Sequence, residues 1–113
     1  MPSLGMVGPY DLNAATIDVF IPQSSPGNYA LGSWDGDKFT VTYVGRSDDN
    51  LNARLKQHID EFPYFKFSHA LSAKTAFEKE CHNFHDFNPP GNKNHPARPT
   101  GGDLKCPRCH ALD

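Results

Sequence analysis

The chain has 113 residues, 37% hydrophobic and 21% charged, which suits one small globular domain with a modest core. A formal net charge of −2 excludes a global basic field that would draw in nucleic acid, so any nucleic-acid role needs a local patch. Residues 1–45 hold one lysine, Lys38, against four aspartates, and nearly all the positive charge lies from Arg46 onward. No apolar run approaches the roughly 18–20 residues that span a bilayer. The start, Met1-Pro2-Ser3-Leu4-Gly5, lacks the charged-then-apolar order of a signal peptide. Three cysteines, an odd number, argue against a disulfide framework and make a reducing, cytoplasmic setting the default.

Taken in order, residues 1–26 read as loop-rich, with one predicted strand at Thr16-Ile17-Asp18-Val19-Phe20-Ile21. Pro22 and Ser24-Ser25-Pro26 close it. Residues 28–32 and 39–44 read as a hairpin with Asp35-Gly36 as its turn. In its second strand Phe39, Val41 and Tyr43 are expected on one face, and Thr40, Thr42 and Val44 on the other. A first helix is predicted over about 48–61, with Ser47 or Asp48 as N-cap and Leu51, Leu55, Ile59 and Phe62 as its buried stripe. Arg54 and His58, four apart, share a neighbouring face. Pro63 ends this helix, and Phe65-Lys66-Phe67-Ser68-His69-Ala70 alternates as a third strand. Ser72 is the expected N-cap of a second helix over about 73–87, with Ala73, Ala76, Phe77, Cys81 and Phe84 as its apolar stripe. From Asn88 onward the chain is rich in Pro, Gly and Asn and reads as coil.

Glu80 stands out on the second helix. It lies four after Ala76 and four before Phe84, at the edge of the apolar stripe. A carboxylate there must be ion-paired, hydrogen-bonded or metal-bound, since burying it alone is costly. A salt bridge to Arg or Lys is the plain alternative to a metal.

The chain resembles a GIY-YIG nuclease over about residues 26–99. Asn28-Tyr29-Ala30, after Gly27, stands where that family has its first tyrosine motif, and Tyr43-Val44-Gly45 matches the second. Arg54 corresponds to the helical arginine and Glu80 to the metal-binding glutamate. Asn94, in Asn92-Lys93-Asn94-His95-Pro96, is the candidate for the late asparagine, with Asn88 and Asn92 competing. The first motif keeps only the tyrosine and a preceding glycine. The resemblance implies a compact α+β domain with a small central sheet of about three strands flanked by helices. Residues 1–25 would be an N-terminal extension and 100–113 a Cys-x-x-Cys tail packing on the same domain.

It also implies a metal-dependent endonuclease that hydrolyses phosphodiesters in DNA, with RNA open. Charge gathers on the phosphate oxygens during such a reaction, and a cationic side chain and a divalent metal stabilise it. Glu80 would hold Mg²⁺ or Mn²⁺, hard cations suited to a carboxylate. Arg46 and Arg54 would bind the substrate phosphate, Arg54 through its fork of donors. Tyr29 would act as general base and Tyr43 would position the attack, with His58 shuttling a proton or touching phosphate. Read without that resemblance, strand tyrosines are mostly packing residues and an exposed helical arginine is a solvated face. Two rival functions stand beside the nuclease: a non-cleaving nucleic-acid or protein binding module of the same fold, and a nuclease used as a toxin or in anti-phage defence. No element reads base edges, so no sequence specificity follows; members of that family usually carry a separate targeting domain, and the resemblance implies dependence on a targeting partner protein or on substrate shape.

Cys106-Pro107-Arg108-Cys109 is half of a zinc site. Cys81 and His85, four apart on the second helix, project from one face and offer the other half. The expected structural zinc is therefore held by Cys81, His85, Cys106 and Cys109, tying the tail to the helix that carries Glu80. His110 and His82 are the alternative ligands.

Overall fold

A computed structural model describes residues 4–97 and 104–109 of the chain. It is an α+β fold: four antiparallel strands in the order β1-β4-β2-β3, with three helices on the two faces. The strands are β1 (Val7–Asp11), β2 (Gly27–Trp34), β3 (Phe39–Ser47) and β4 (Tyr64–His69). The helices are α1 (Ala14–Phe20), α2 (Leu51–Lys56) and α3 (Ala73–Phe87). None of them is long and apolar enough to cross a membrane.

The sheet has four strands rather than three because Val7–Asp11 pairs with β4. Pro9 within that stretch reads as loop, yet an edge strand tolerates a proline, and β1 is an edge. The predicted strand over residues 16–21 is instead α1. Asn13 caps it, its side-chain oxygen accepting from the Thr16 N–H at 2.8 Å. Ile17 and Ile21, one turn apart, are both fully buried, while Val19 is 71% exposed. The β-branched run suggested a strand, but the burial follows the helical period.

The hairpin forms as expected, with one correction. A bulge displaces Thr42: Leu31 pairs with Tyr43 and Gly32 with Val41. Phe39 and Val41 therefore pack with Val44 against Leu4 and Ala30, whereas Tyr43 packs on the opposite face. The bulge also turns the Thr42 carbonyl outward, where it accepts the Gly91 N–H at 2.7 Å.

α2 is shorter than predicted. Its N-cap is Asn50, whose side chain accepts from Ala53 N–H, and Ser47 instead takes the N–H of Asn50 at 2.8 Å. After Lys56 the chain continues in tight turns to Asp60, whose φ of 77° is left-handed and ends any helix. Leu51 and Leu55 are fully buried, with Ile59 and Phe62 at the margin. α3, predicted as the second helix, spans the predicted residues, with Ser72 and Thr75 in a reciprocal cap and Asn88, at φ 43°, as its left-handed end.

Two layers of side chains result. Ile17, Ile21, Leu51 and Leu55 meet Tyr29, Leu31, Phe65 and Phe67 on one face of the sheet. On the other face α3 lies beside β2 and β3, and Phe84 and Phe87 reach Ala30 and Val44. Asn28, fully buried in β2, donates to the Ala76 carbonyl at 2.8 Å and anchors α3. Beneath the tail, Phe77, Cys81 and Cys106 form a third apolar cluster. Among the described residues beyond Asn88 there is no helix or strand, as expected.

Candidate active site

A cleft of about 490 Å³ opens beside β3 and the last turn of α2. Tyr29, Tyr43, Arg46, Arg54, Glu80 and Asn94 all line it. They come from two strands, two helices and a loop, so the fold gathers residues spread over 66 positions of sequence.

β2 and β3 place the two tyrosines on one sheet face, rings 6.2 Å apart. Gly45 sits opposite Tyr29 in the ladder. A side-chain carbon there would collide with the Tyr29 ring and hydroxyl, so glycine leaves the space that the phenol fills. The Tyr29 hydroxyl meets His58 Nε2 at 2.9 Å, and His58 Nδ1 meets Glu61 Oε1 at 3.0 Å. With Nδ1–H donating to the carboxylate, Nε2 is left to accept the phenol proton. His58 thus lies behind Tyr29, one bond removed from the cleft. Burial pushes the Tyr29 pKa well up, Tyr43 adds to the rise, and Arg54 opposes it. Tyr43 is also raised, by burial and then by Glu80.

Glu80 is only 7% exposed. Its Oε1 takes Arg46 Nη1 at 2.5 Å, and Arg46 Nε reaches Asp48 Oδ1 at 2.7 Å. Arg46 therefore sits between two carboxylates, with its guanidinium 5.2 Å over the Phe77 ring. Burial raises the Glu80 carboxyl above its ordinary range, and Arg46 offsets this only in part. Burial works against the Arg46 charge, yet its two carboxylates hold its pKa above the usual value. Arg54 is exposed at the cleft and makes no salt bridge among the described residues.

The three competing asparagines have separate places. Asn88 caps α3. Asn92 forks onto the outer edge of β3, its Oδ1 accepting from Val44 N–H at 2.8 Å and its Nδ2 donating to Val44 C=O at 2.9 Å. Asn94, exposed, is left facing the cleft beside Lys93. The pairing of Asp48 with Arg46 and of Glu61 with His58 was not foreseen from the sequence. Both are short-range partners, two and three residues away.

A second cluster stands behind the cleft wall. One ligand atom each from His85, His95, Cys106 and Cys109 lies within 4.8 Å of the others, a group that could hold a metal ion. His95 takes the place expected for Cys81, which is not part of this group. Cys81 is fully buried against Phe77 and Cys106, and burial pushes its thiol up. Burial opposes ionisation of Cys106 too. There the Arg108 N–H, with help from His95, Cys81 and His85, prevails and brings the thiol down to about 6. The alternative His82 is exposed and outside the group, and His110 lies outside the described residues. All three cysteines are free of disulfides. One signal for His95 was present in the sequence: a histidine in coil, a short way before a Cys-x-x-Cys pair.

No family model, no curated protein and no solved structure matches this chain.

Proposed function

We propose that the chain is a GIY-YIG-type endonuclease, a metal-dependent phosphodiesterase acting on DNA. The observation that carries this reading is the convergence of Tyr29, Tyr43, Arg54, Glu80 and Asn94 on one polar cleft. The free guanidinium of Arg54 is the group that grips a phosphate, through paired N–H donors. In hydrolysis a water oxygen attacks phosphorus and the bond to the leaving oxygen breaks. Tyr29 receives the water proton as its own proton passes to His58 Nε2, and Glu61 stabilises the imidazolium that results. This relay suits a phenol whose burial resists ionisation, because no free phenolate has to persist.

Glu80 fits a hard cation: it is a carboxylate at the cleft, and Arg46 occupies only one of its oxygens. Mg²⁺ or Mn²⁺ bound there would supply Lewis-acid stabilisation of charge on the phosphate oxygens. Arg46, held between Glu80 and Asp48, keeps the site near neutrality and stands next to the phosphate position. The His85, His95, Cys106 and Cys109 group supplies no chemistry in this reading and is structural.

Nicking of supercoiled plasmid with Mg²⁺ or Mn²⁺ tests the proposal. Wild type should cleave, and Glu80→Ala and Arg54→Ala should not. A wild type as inert as both variants across metals and DNA substrates sinks it. The ion pair between Arg46 and Glu80 favours one second reading, a binding module that needs no metal. Its mark is metal-independent nucleic-acid binding that Glu80→Ala leaves unchanged.

A further inference from the structure

The wall of the cleft formed by residues 88–97 has no secondary structure after its first turn, and its hold on the sheet is local. Gly91 N–H bonds to Thr42 C=O, and Asn92 bonds twice to Val44. Asn94 stands beyond these bonds. Something must fix the far end of the loop if Asn94 is to keep its place. His95 follows at once, and its half-buried ring packs against Phe84 and His85 of α3 and meets Cys109 of the tail.

Two sulfur–nitrogen edges of the cluster have nearly the length found in a tetrahedral zinc site. Cys109 Sγ lies 3.3 Å from His95 Nε2, and Cys106 Sγ lies 3.4 Å from His85 Nε2. Around zinc, with bonds of about 2.3 Å to sulfur and 2.0–2.1 Å to nitrogen, a tetrahedral sulfur–nitrogen edge is about 3.6 Å. Ring orientation agrees. His95 Nδ1 faces the Pro96 carbonyl at 2.9 Å, so Nδ1–H donates there and Nε2 presents its lone pair to the cluster. The Arg108 N–H points at Cys106 Sγ at 3.4 Å, the backbone support a thiolate needs. Two thiolates and two imidazoles select zinc among the common divalent ions, and four protein donors leave no open position for chemistry.

We propose that His85, His95, Cys106 and Cys109 bind one zinc ion, which pins the cleft wall and the tail to α3. The loop carrying Asn94 then owes its position to a metal that takes no part in cleavage. Arg108 adds an ion pair of 2.6 Å to Asp86, which docks the knuckle on the helix. The zinc site stands on the cluster's own geometry. Only its consequence for cleavage rests on the nuclease reading.

The test uses the full chain purified without chelator, with metal content and amide hydrogen exchange as readouts. Wild type and Cys81→Ala should each hold one zinc, and His95→Ala and Cys109→Ser should hold none. His95→Cys, which restores a ligand, should hold zinc again, so a misfolded alanine variant does not decide the matter. On removal of zinc by chelator, the amides of Gly91 and Val44 should exchange roughly tenfold faster or more, while Leu31 at the centre of the sheet stays protected. Wild type that carries no zinc and takes none up overturns the proposal. So does zinc retained in His95→Ala and lost in Cys81→Ala, or exchange at Gly91 and Val44 indifferent to zinc. None of these readouts needs a substrate. An inactive, zinc-loaded wild type would refute the nuclease reading and leave this site standing.

Discussion

Asn92 and Asn94 are two residues apart, and alanine should separate them completely. Asn92 holds the Val44 backbone by two hydrogen bonds, of 2.8 and 2.9 Å. Each is worth about 0.5–1.5 kcal/mol net, and an orphaned backbone group denied water costs about 1–3 kcal/mol. The site is half-buried on an edge strand, so water can reach the freed groups. The expected loss for Asn92→Ala is then about 1–3 kcal/mol. A urea slope of about 1–3 kcal/mol per molar for a small protein turns this into a midpoint lower by roughly 1 M. Asn94 is exposed and makes no side-chain hydrogen bond among the described residues. Asn94→Ala should stay within about 0.5 kcal/mol of wild type. Under the nuclease reading it should nonetheless lose cleavage by about 100-fold, as removal of a preorganised donor does. Urea melts beside plasmid nicking read both quantities. An Asn92→Ala variant with the wild-type midpoint refutes the argument, as does an Asn94→Ala variant that is the less stable of the two.

Three further variants probe the cleft. Gly45→Ala forces a methyl into the Tyr29 phenol, an overpacking of about 1–3 kcal/mol that thermal melting would register; unchanged stability would mean the Tyr29 head is not held there. Tyr29→Phe gives up the 2.9 Å bond to His58 at a cost of about 0.5–1.5 kcal/mol, and should reduce cleavage by at least about 100-fold. Near wild-type nicking by Tyr29→Phe would rule out its part in proton transfer. Glu80 bears on pH. Its folded pKa is raised above the ordinary 4.5, so the folded chain holds its proton longer than the unfolded one. Its contribution to stability is therefore full below 4.5 and is lost as pH rises through the folded pKa. Glu80→Gln should flatten the stability–pH curve just above 4.5, and a slope left intact there contradicts the assignment.

The hairpin, β4 and α3 were legible because local chemistry and packing agree there. Ser72, the stripe through Phe77 and the left-handed Asn88 all point to one helix. Legibility failed where two periods overlapped. In residues 16–21 every second residue is apolar and β-branched or aromatic, yet Ile17 and Ile21 also fit one helical face. Tertiary burial chose the helix. The face error in β3 has another cause. One bulged residue, Thr42, inverts every side chain on one side of it, and nothing in Phe39-Thr40-Val41-Thr42-Tyr43 marks the bulge. Its purpose is visible only in three dimensions, where Gly91 takes the freed carbonyl.

The same distinction between regular and irregular backbone governs the two sites. Tyr29, Tyr43, Arg54 and Glu80 stand on strands and helices, whose periods set the direction of each side chain. Their order in sequence therefore carries information about one cleft. Only His85 of the four clustered metal-site residues stands on such an element; His95, Cys106 and Cys109 are in coil. The helical spacing of Cys81 and His85 was a sound reason to pair them, but Cys81 also belongs to the apolar stripe, four after Phe77. Buried among apolar groups, a thiol gains from packing and loses from ionisation, and Cys81 packs fully buried between Phe77 and Cys106. His85, one turn on, escapes the stripe and reaches the cluster. In coil no period links a residue to its partner. The position of His95 follows from what fixes the loop: the Asn92 fork at one end and, under the proposed assignment, the zinc at the other.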